Sequence, residues 1–172
     1  IKDSGKVLAL IGLIRERDFD FETVVPALTG HLGRTACASE PVPFVQTDYY
    51  EPEMGKDLVR RWLCFERLIA PDELAGLKVW TNGIESRYVR AAGNRRVNID
   101  PGIVTLNNLV LASTKNFAHR IYLGQGIYAE TTLIFRRGRF EPLEWTYPDY
   151  RERAALEFFE RARAFLKERL SR

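Results

Sequence analysis

The sequence predicts an α+β fold: a mixed or antiparallel sheet in β-α-β-β-α-β (ferredoxin-like) order, then two C-terminal hairpin strands and a long C-terminal helix. Three observations predict it. Val7–Ile14 is a near-continuous apolar run, Arg61–Leu68 alternates between two faces, and apolar residues recur at helical spacing after Tyr150. At 172 residues, one domain over 1–172 with one core is expected.

The elements follow in order. Val7-Leu-Ala-Leu-Ile-Gly-Leu-Ile14 reads as a central strand buried on both faces. Phe21, Val24, Val25 and Leu28 then repeat at helical spacing, with Asp18 or Asp20 as N-cap and Gly30 and Gly33 as the close. Pro41 and Pro43 lead into a strand over Phe44–Thr47, which Asp48-Tyr-Tyr-Glu-Pro52 breaks. In Arg61–Leu68, Trp62 and Cys64 face one way, Leu63 and Phe65 the other. Pro71-Asp-Glu73 starts a helix, since proline fits the first turn and acids favour the positive end of the dipole. Its inward residues Leu74, Leu77, Ile84 and Tyr88 carry it to about Arg90, although Gly83 weakens its middle. Arg95–Ile99 is a short strand stopped by Asp100-Pro-Gly102, and Leu106, Leu109 and Val110 suggest a short helix. Turns at Leu123-Gly-Gln-Gly126 and Arg137-Gly138 close two hairpins, the second pairing Phe135 with Phe140. That register puts Ile127, Ala129, Leu133 and Phe135 on the core face and Glu130 on the other. The last helix presents Ala155, Phe158, Phe159, Ala162, Phe165 and Leu166.

Composition narrows the function classes. Hydrophobic residues make up 45% and charged residues 28%, as in ordinary globular proteins. The net charge of +3 equals the excess after residue 150, where seven Lys/Arg face four Glu, so the rest of the chain carries no global preference for nucleic acid or membrane. The longest apolar run is far too short to span a bilayer, no signal peptide is seen, and a cytoplasmic location is expected. Cys37 and Cys64 form no C-x-x-C pair and read as reduced, buried thiols. No metal is expected: there are two histidines and no H-x-x-x-H, although an oxygen-rich Mg²⁺ site from Asp48, Asp100 or Glu130 stays open. No cofactor is indicated, and neither G-x-S-x-G nor the G-x-x-x-x-G-K-[ST] phosphate loop occurs.

Several blocks carry a resemblance. They are Phe44, Asp48-Tyr-Tyr50, Met54-Gly55, Arg95-Arg-Val-Asn-Ile-Asp-Pro-Gly102, Lys115, His119-Arg-Ile-Tyr-Leu-Gly124, Gly126-Ile-Tyr-Ala-Glu130 and Trp145-Thr-Tyr-Pro-Asp-Tyr150. Through them the chain resembles a bacterial family catalogued as domain of unknown function 4416. The resemblance implies a compact bacterial protein of the cytoplasm and implies no activity.

The same blocks hold the candidate site. In the first hairpin, a loop of two or four residues keeps His119 on Glu130's face, and a three-residue loop puts Arg120 there instead. A His–Glu pair can hold an imidazole tautomer for general-base work, with His119 as base and Glu130 as orienting carboxylate. It can equally be a cross-strand pair that fixes register. Tyr128 shares Glu130's face, and Tyr122 lies on the partner strand. Asn98 and Asp100 alternate with Val97 and Ile99, so they point to one side, either toward a ligand or into the turn at Pro101-Gly102. Arg95, Arg96, Lys115 and Arg120 form either an anion-binding cluster or solvated surface charge. Asp48, Tyr49 and the Trp145–Tyr150 loop add aromatic surface that can stack a base or sugar or equally plug the ends of the sheet against the last helix, the role favoured for Trp145. Two functional readings follow, beside that of a scaffold with no ligand at all. One is a polar pocket, open to enzymatic use, for a small phosphorylated or nucleotide-like anion. The other is an RNA- or protein-binding module using the basic last helix and exposed tyrosines.

Overall fold

The computed structural model describes residues 5–171. Its frame is one nine-stranded sheet in which every pairing is antiparallel. Strand β1 (Val7–Arg15) lies between β4 (Val59–Ile69) and β5 (Val97–Val104), which is why its sequence is apolar on both faces. The full order is β2-β4-β1-β5-β6-β8-β7, with β2 (Thr35–Ala38), β6 (Asn108–Ser113), β7 (Ile121–Gly124) and β8 (Ile127–Arg136). The short β3 (Val42–Pro43) pairs with β4, and β9 (Arg139–Pro142) with β8.

Helices cover both faces. Helix α1 (Val25–Leu32) and helix α3 (Glu73–Glu85) bury Leu28, Leu32, Leu74, Leu77 and Ile84 in one core with Leu63, Phe65, Ile99 and Ile127. On the opposite face α5 (Arg153–Leu170) packs Phe158, Phe159, Ala162 and Leu166 against Leu8, Leu10, Trp62, Cys64 and Leu133. The expected alternation of β4 therefore divides its side chains between the two cores. Two one-turn helices, α2 (Glu51–Met54) and α4 (Pro148–Arg151), shape loops at one end of the sheet.

Four expectations are corrected. Residues 44–47 form no strand: after Pro43 the chain leaves the sheet, and Phe44 packs on Ile14, Met54 and Leu58. Leu109 and Val110 lie in strand β6 rather than in a helix, because Leu109 and Leu111 alternate into the α5 core while Val110 packs on the other. Helix α3 ends at Glu85, where Ser86 Oγ donates to the Gly83 carbonyl, and tighter turns carry Tyr88 to an edge contact with Phe19. Asp20 caps the 3-10 turn Phe21–Thr23, not α1.

A fifth correction positions the site. Strand β5 does not stop at Asp100; it runs through Asp100-Pro101-Gly102. Ile99 turns its amide and carbonyl away from β1, where Glu85 and Lys78 of α3 meet them. Alternation turns Pro101 to the same edge, and there proline has no N–H to give. The β5–β6 ladder accordingly begins only at Gly102, opposite Leu111. At that crossing the strands nearly touch, since a Cβ on Gly102 would lie 2.6 Å from the Val110 carbonyl oxygen. Beyond it they part.

Strand β8 also departs from the expected faces. Phe135 does pair with Phe140, their rings 5.3 Å apart. A bulge in the β6–β8 register, opposite Leu109 and Val110, leaves Thr132 unpaired. It reverses the facing of the strand, so Ile127 joins the α1/α3 core while Leu133 and Phe135 join the α5 core. Glu130 pairs with Leu111 and so lies on the α5 side with Leu133, not opposite it.

Phe159 is fully buried and stacks on Tyr150 at 5.3 Å. Phe159→Ala is expected to cost about 3–5 kcal/mol in urea denaturation. Gly102→Ala is expected to cost about 1–3 kcal/mol, because the group it would strike is backbone. An unchanged urea midpoint for either variant would contradict this packing.

Candidate functional site

The cavity lies where β5 and β6 part. It has a volume of about 780 Å³, with Asn98 and Asp100 of β5 on one wall and Leu111–Ser113 of β6 and Glu130 of β8 on another. Helix α3 contributes Lys78, Asn82 and Glu85. Arg60 of β4 and the Pro148–Tyr150 turn reach in from the sheet's α5 face, and Phe44, Tyr49, Tyr50 and Tyr147 supply aromatic rings.

The strand edge left bare by Pro101 is satisfied by side chains. Glu85 accepts from the Ile99 amide at 2.5 Å, and the Lys78 ammonium donates to the Ile99 carbonyl at 3.2 Å and to Asp100 at 3.0 Å. Asn98 donates to the other Asp100 oxygen at 2.5 Å and accepts from Arg95 at 2.9 Å. Arg95 is the strut of this wall: it grips Glu53 of α2 with two bonds of 2.7 and 2.8 Å and Glu85 with one of 2.9 Å. Burial alone would raise the Asp100 carboxyl, but Lys78 and Arg60 together hold it below the usual carboxylate range. For Glu85 burial prevails and its carboxyl is raised.

Arg60 sits deeper. Its guanidinium is 5% exposed, pairs with Asp149 at 2.8 and 2.6 Å, and lies over the rings of Phe44, Trp62 and Tyr150. Its Nη1 and the Tyr150 hydroxyl are buried without a partner among the described residues. Both crowd Gly12, where a Cβ would stand 2.9 Å from the hydroxyl and 3.1 Å from Nη1. Glycine leaves the room these two heads occupy.

The hairpin turns on two residues, Gln125-Gly126, and a bulge at Leu123 gives it the register expected of a three-residue loop. Ile121 pairs with Ala129 and Tyr122 with Tyr128, which sets Arg120 opposite Glu130. Glu130 is almost completely buried, and one of its oxygens meets Arg120 Nε at 2.7 Å and His119 Nε2 at 3.2 Å. Thr132 donates to the other at 3.3 Å. His119 stacks on Trp145 at 4.8 Å, and Trp145 donates to the Thr131 carbonyl. Arg120 goes on to the Tyr147 hydroxyl at 2.8 Å, which leaves that hydroxyl its own proton to donate. Burial raises the Tyr147 phenol further above its ordinary value.

Of the residues singled out from sequence, Tyr49, Arg95, Asn98, Asp100, Lys115 and Glu130 line this one cavity. His119 and Arg120 stand behind it, holding Glu130. Arg96 turns away to Glu16, Asp48 lines a neighbouring shallow depression, and Tyr122 and Tyr128 rest on each other at 5.2 Å. Sequence reasoning missed Arg60, Lys78 and Glu85, and it read Asp149 and Tyr150 only as part of an aromatic loop. A signal existed for two of them: Leu74, Lys78, Thr81 and Glu85 recur on the buried stripe of α3, so charges occupy core positions. Among the described residues no group of three or more His, Cys, Asp or Glu could hold a metal ion.

The family model described as Domain of unknown function (DUF4416) matches residues 5–165, and the chain belongs to that family. No curated protein and no solved structure matches it. Among the described residues no helix is long and apolar enough to cross a membrane.

Two outcomes test the electrostatics. Asp100 is depressed in the folded state, so its contribution is present above the unfolded aspartate value of about 3.9 and is lost as pH falls through the folded one. The urea-midpoint gap between wild type and Asp100→Asn should therefore be constant near neutrality and close only in acid below that value. A gap unchanged to pH 2 would contradict the assignment. Glu130→Gln leaves the Arg120 guanidinium buried without a counter-charge, and should cost about 3–5 kcal/mol in the same measurement.

Proposed function

We propose that this member of the family binds a small phosphorylated or nucleotide-like anion in the cavity between β5 and β6. The observation that carries the reading is the opening itself. A sheet that needed only stability would continue the β5–β6 ladder; here the ladder ends, and the gap is walled by aromatic rings and buried charges from five separate segments. Concave sites with a few convergent polar groups are where small ligands bind. In this reading His119 and Glu130 set Arg120, and through it the Tyr147 hydroxyl, from behind the wall. The scaffold reads as a ferredoxin-like core, β2-β4-β1-β5 with α1 and α3 on one face, to which β6–β9 and α5 are added.

The basic last helix supports a nucleic-acid face less well. Arg153 pairs with Glu157, Arg163 donates to the Leu106 carbonyl and lies over Phe135, and Arg161 lies over Phe158. Of these, Arg163 is committed within the fold, while Arg153 and Arg161 stay exposed.

A thermal-shift screen against nucleotides and sugar phosphates tests the reading. A ligand present at a hundred times its Kd should stabilise the protein by about 2.7 kcal/mol. If no compound of either class raises the melting temperature, the pocket is not an anion site.

A further inference from the structure

The chain's two cysteines, far apart in sequence, meet across the sheet. Cys37 lies in the edge strand β2, and Cys64 stands directly opposite it in β4. The alignment depends on a bulge. Thr35 pairs with Phe65, so an unbroken register would set Ala36 against Cys64 and turn Cys37 to the other face of β2. The register shift after Thr35 brings Cys37 there instead, and re-aiming a side chain is what a bulge at a sheet edge does. Both cysteines then face the α5 core. Cys64 is a buried member of it, and Cys37 packs against it from the rim.

Directly opposed residues of antiparallel strands have Cα atoms about 4.5–5.5 Å apart. A disulfide spans Cα separations of about 4.4–6.8 Å, so the backbone need not move to bridge this pair. Access differs between the two thiols. Cys37 is half-buried at the sheet edge, within the field of Arg161, while Cys64 is sealed. Neither lines the cavity, so the pair stands apart from the proposed ligand site.

We infer that Cys37 and Cys64 are a site of reversible oxidation, a dithiol that closes to a cross-strand disulfide by exchange with a small disulfide such as oxidised glutathione. The Cys37 thiolate attacks one sulfur of the small disulfide and releases its first thiolate. The Cys64 thiolate then attacks the Cys37 sulfur of the mixed disulfide and releases the second. The two cysteines give up two electrons and two protons, and the small disulfide is reduced to two thiols. Burial raises both thiols, Cys37 against the pull of Arg161. Exchange is therefore slow at neutral pH, and the pair registers sustained oxidation rather than a brief pulse. The closed bridge ties the edge strand β2 to β4.

Incubation of the whole folded chain with oxidised glutathione, without denaturant, tests the inference. The intact mass should fall by two hydrogens, the titratable thiols should drop from two to none, and dithiothreitol should restore both. Bridging should raise the melting temperature by roughly 5 °C or more, because it restrains the unfolded chain. In Cys64→Ala the reaction should stop at a glutathione adduct on Cys37, and in Cys37→Ala the sealed Cys64 should stay free. Any of four results in the wild-type chain would overturn the inference. They are both thiols still free after prolonged oxidation, a lasting glutathione adduct on Cys37, a disulfide that joins two chains, or a bridged form that melts below the reduced one.

Discussion

The structure turns on one missing hydrogen. Pro101 stands on the edge of β5 that faces β6, and it has no amide proton to contribute to a ladder. Because the ladder cannot continue, β6 diverges, and the strand edge it abandons must be satisfied by other groups. Helix α3 supplies them with Glu85 and Lys78, which obliges two charged residues to occupy core positions. Those charges in turn need partners, and Arg95, Asn98 and Asp100 are the partners. The polar wall of the cavity is thus a chain of compensations that starts from one imino acid.

Much of the frame was legible because it rests on local pattern. The buried β1, the two-sided alternation of β4, the Phe135–Phe140 pair and the apolar stripe of α5 were all readable from periodicity and turn residues. The misreadings occur where long-range pairing overrides local preference. Asp100-Pro101-Gly102 looks like a turn in isolation, and only the neighbouring β1 keeps it extended. Leu109-Val110 looks helical until β8 arrives beside it, and the bulge at Thr132 moves Glu130 to the face it was not expected to occupy. Of the site, the β5 wall and Glu130 were visible because unusual polar residues sat within strand patterns, and Tyr49 and Lys115 because they lie in the family-like blocks. Arg60 and Asp149 were not, since a pair separated by 89 residues leaves no trace in spacing.

The two arginine centres behave differently. Arg60 is sealed beneath aromatic rings with Asp149 as its partner, so removing either member alone would leave a buried charge uncompensated. Arg95 is partly exposed and ties α2 to α3 and β5 through Glu53, Glu85 and Asn98. One centre is closed off beneath the cavity and the other braces its wall.

The bond between the Ile99 amide and Glu85 has a consequence for dynamics. Neighbouring amides of β5 are locked in the ladder with β1 and are released only when the sheet comes apart. The Ile99 amide is held instead by a side chain that a small swing of χ angles can withdraw. Its hydrogen exchange should follow the breathing of the cavity wall rather than global unfolding, so the chain carries a built-in isotopic clock for the opening of the cleft.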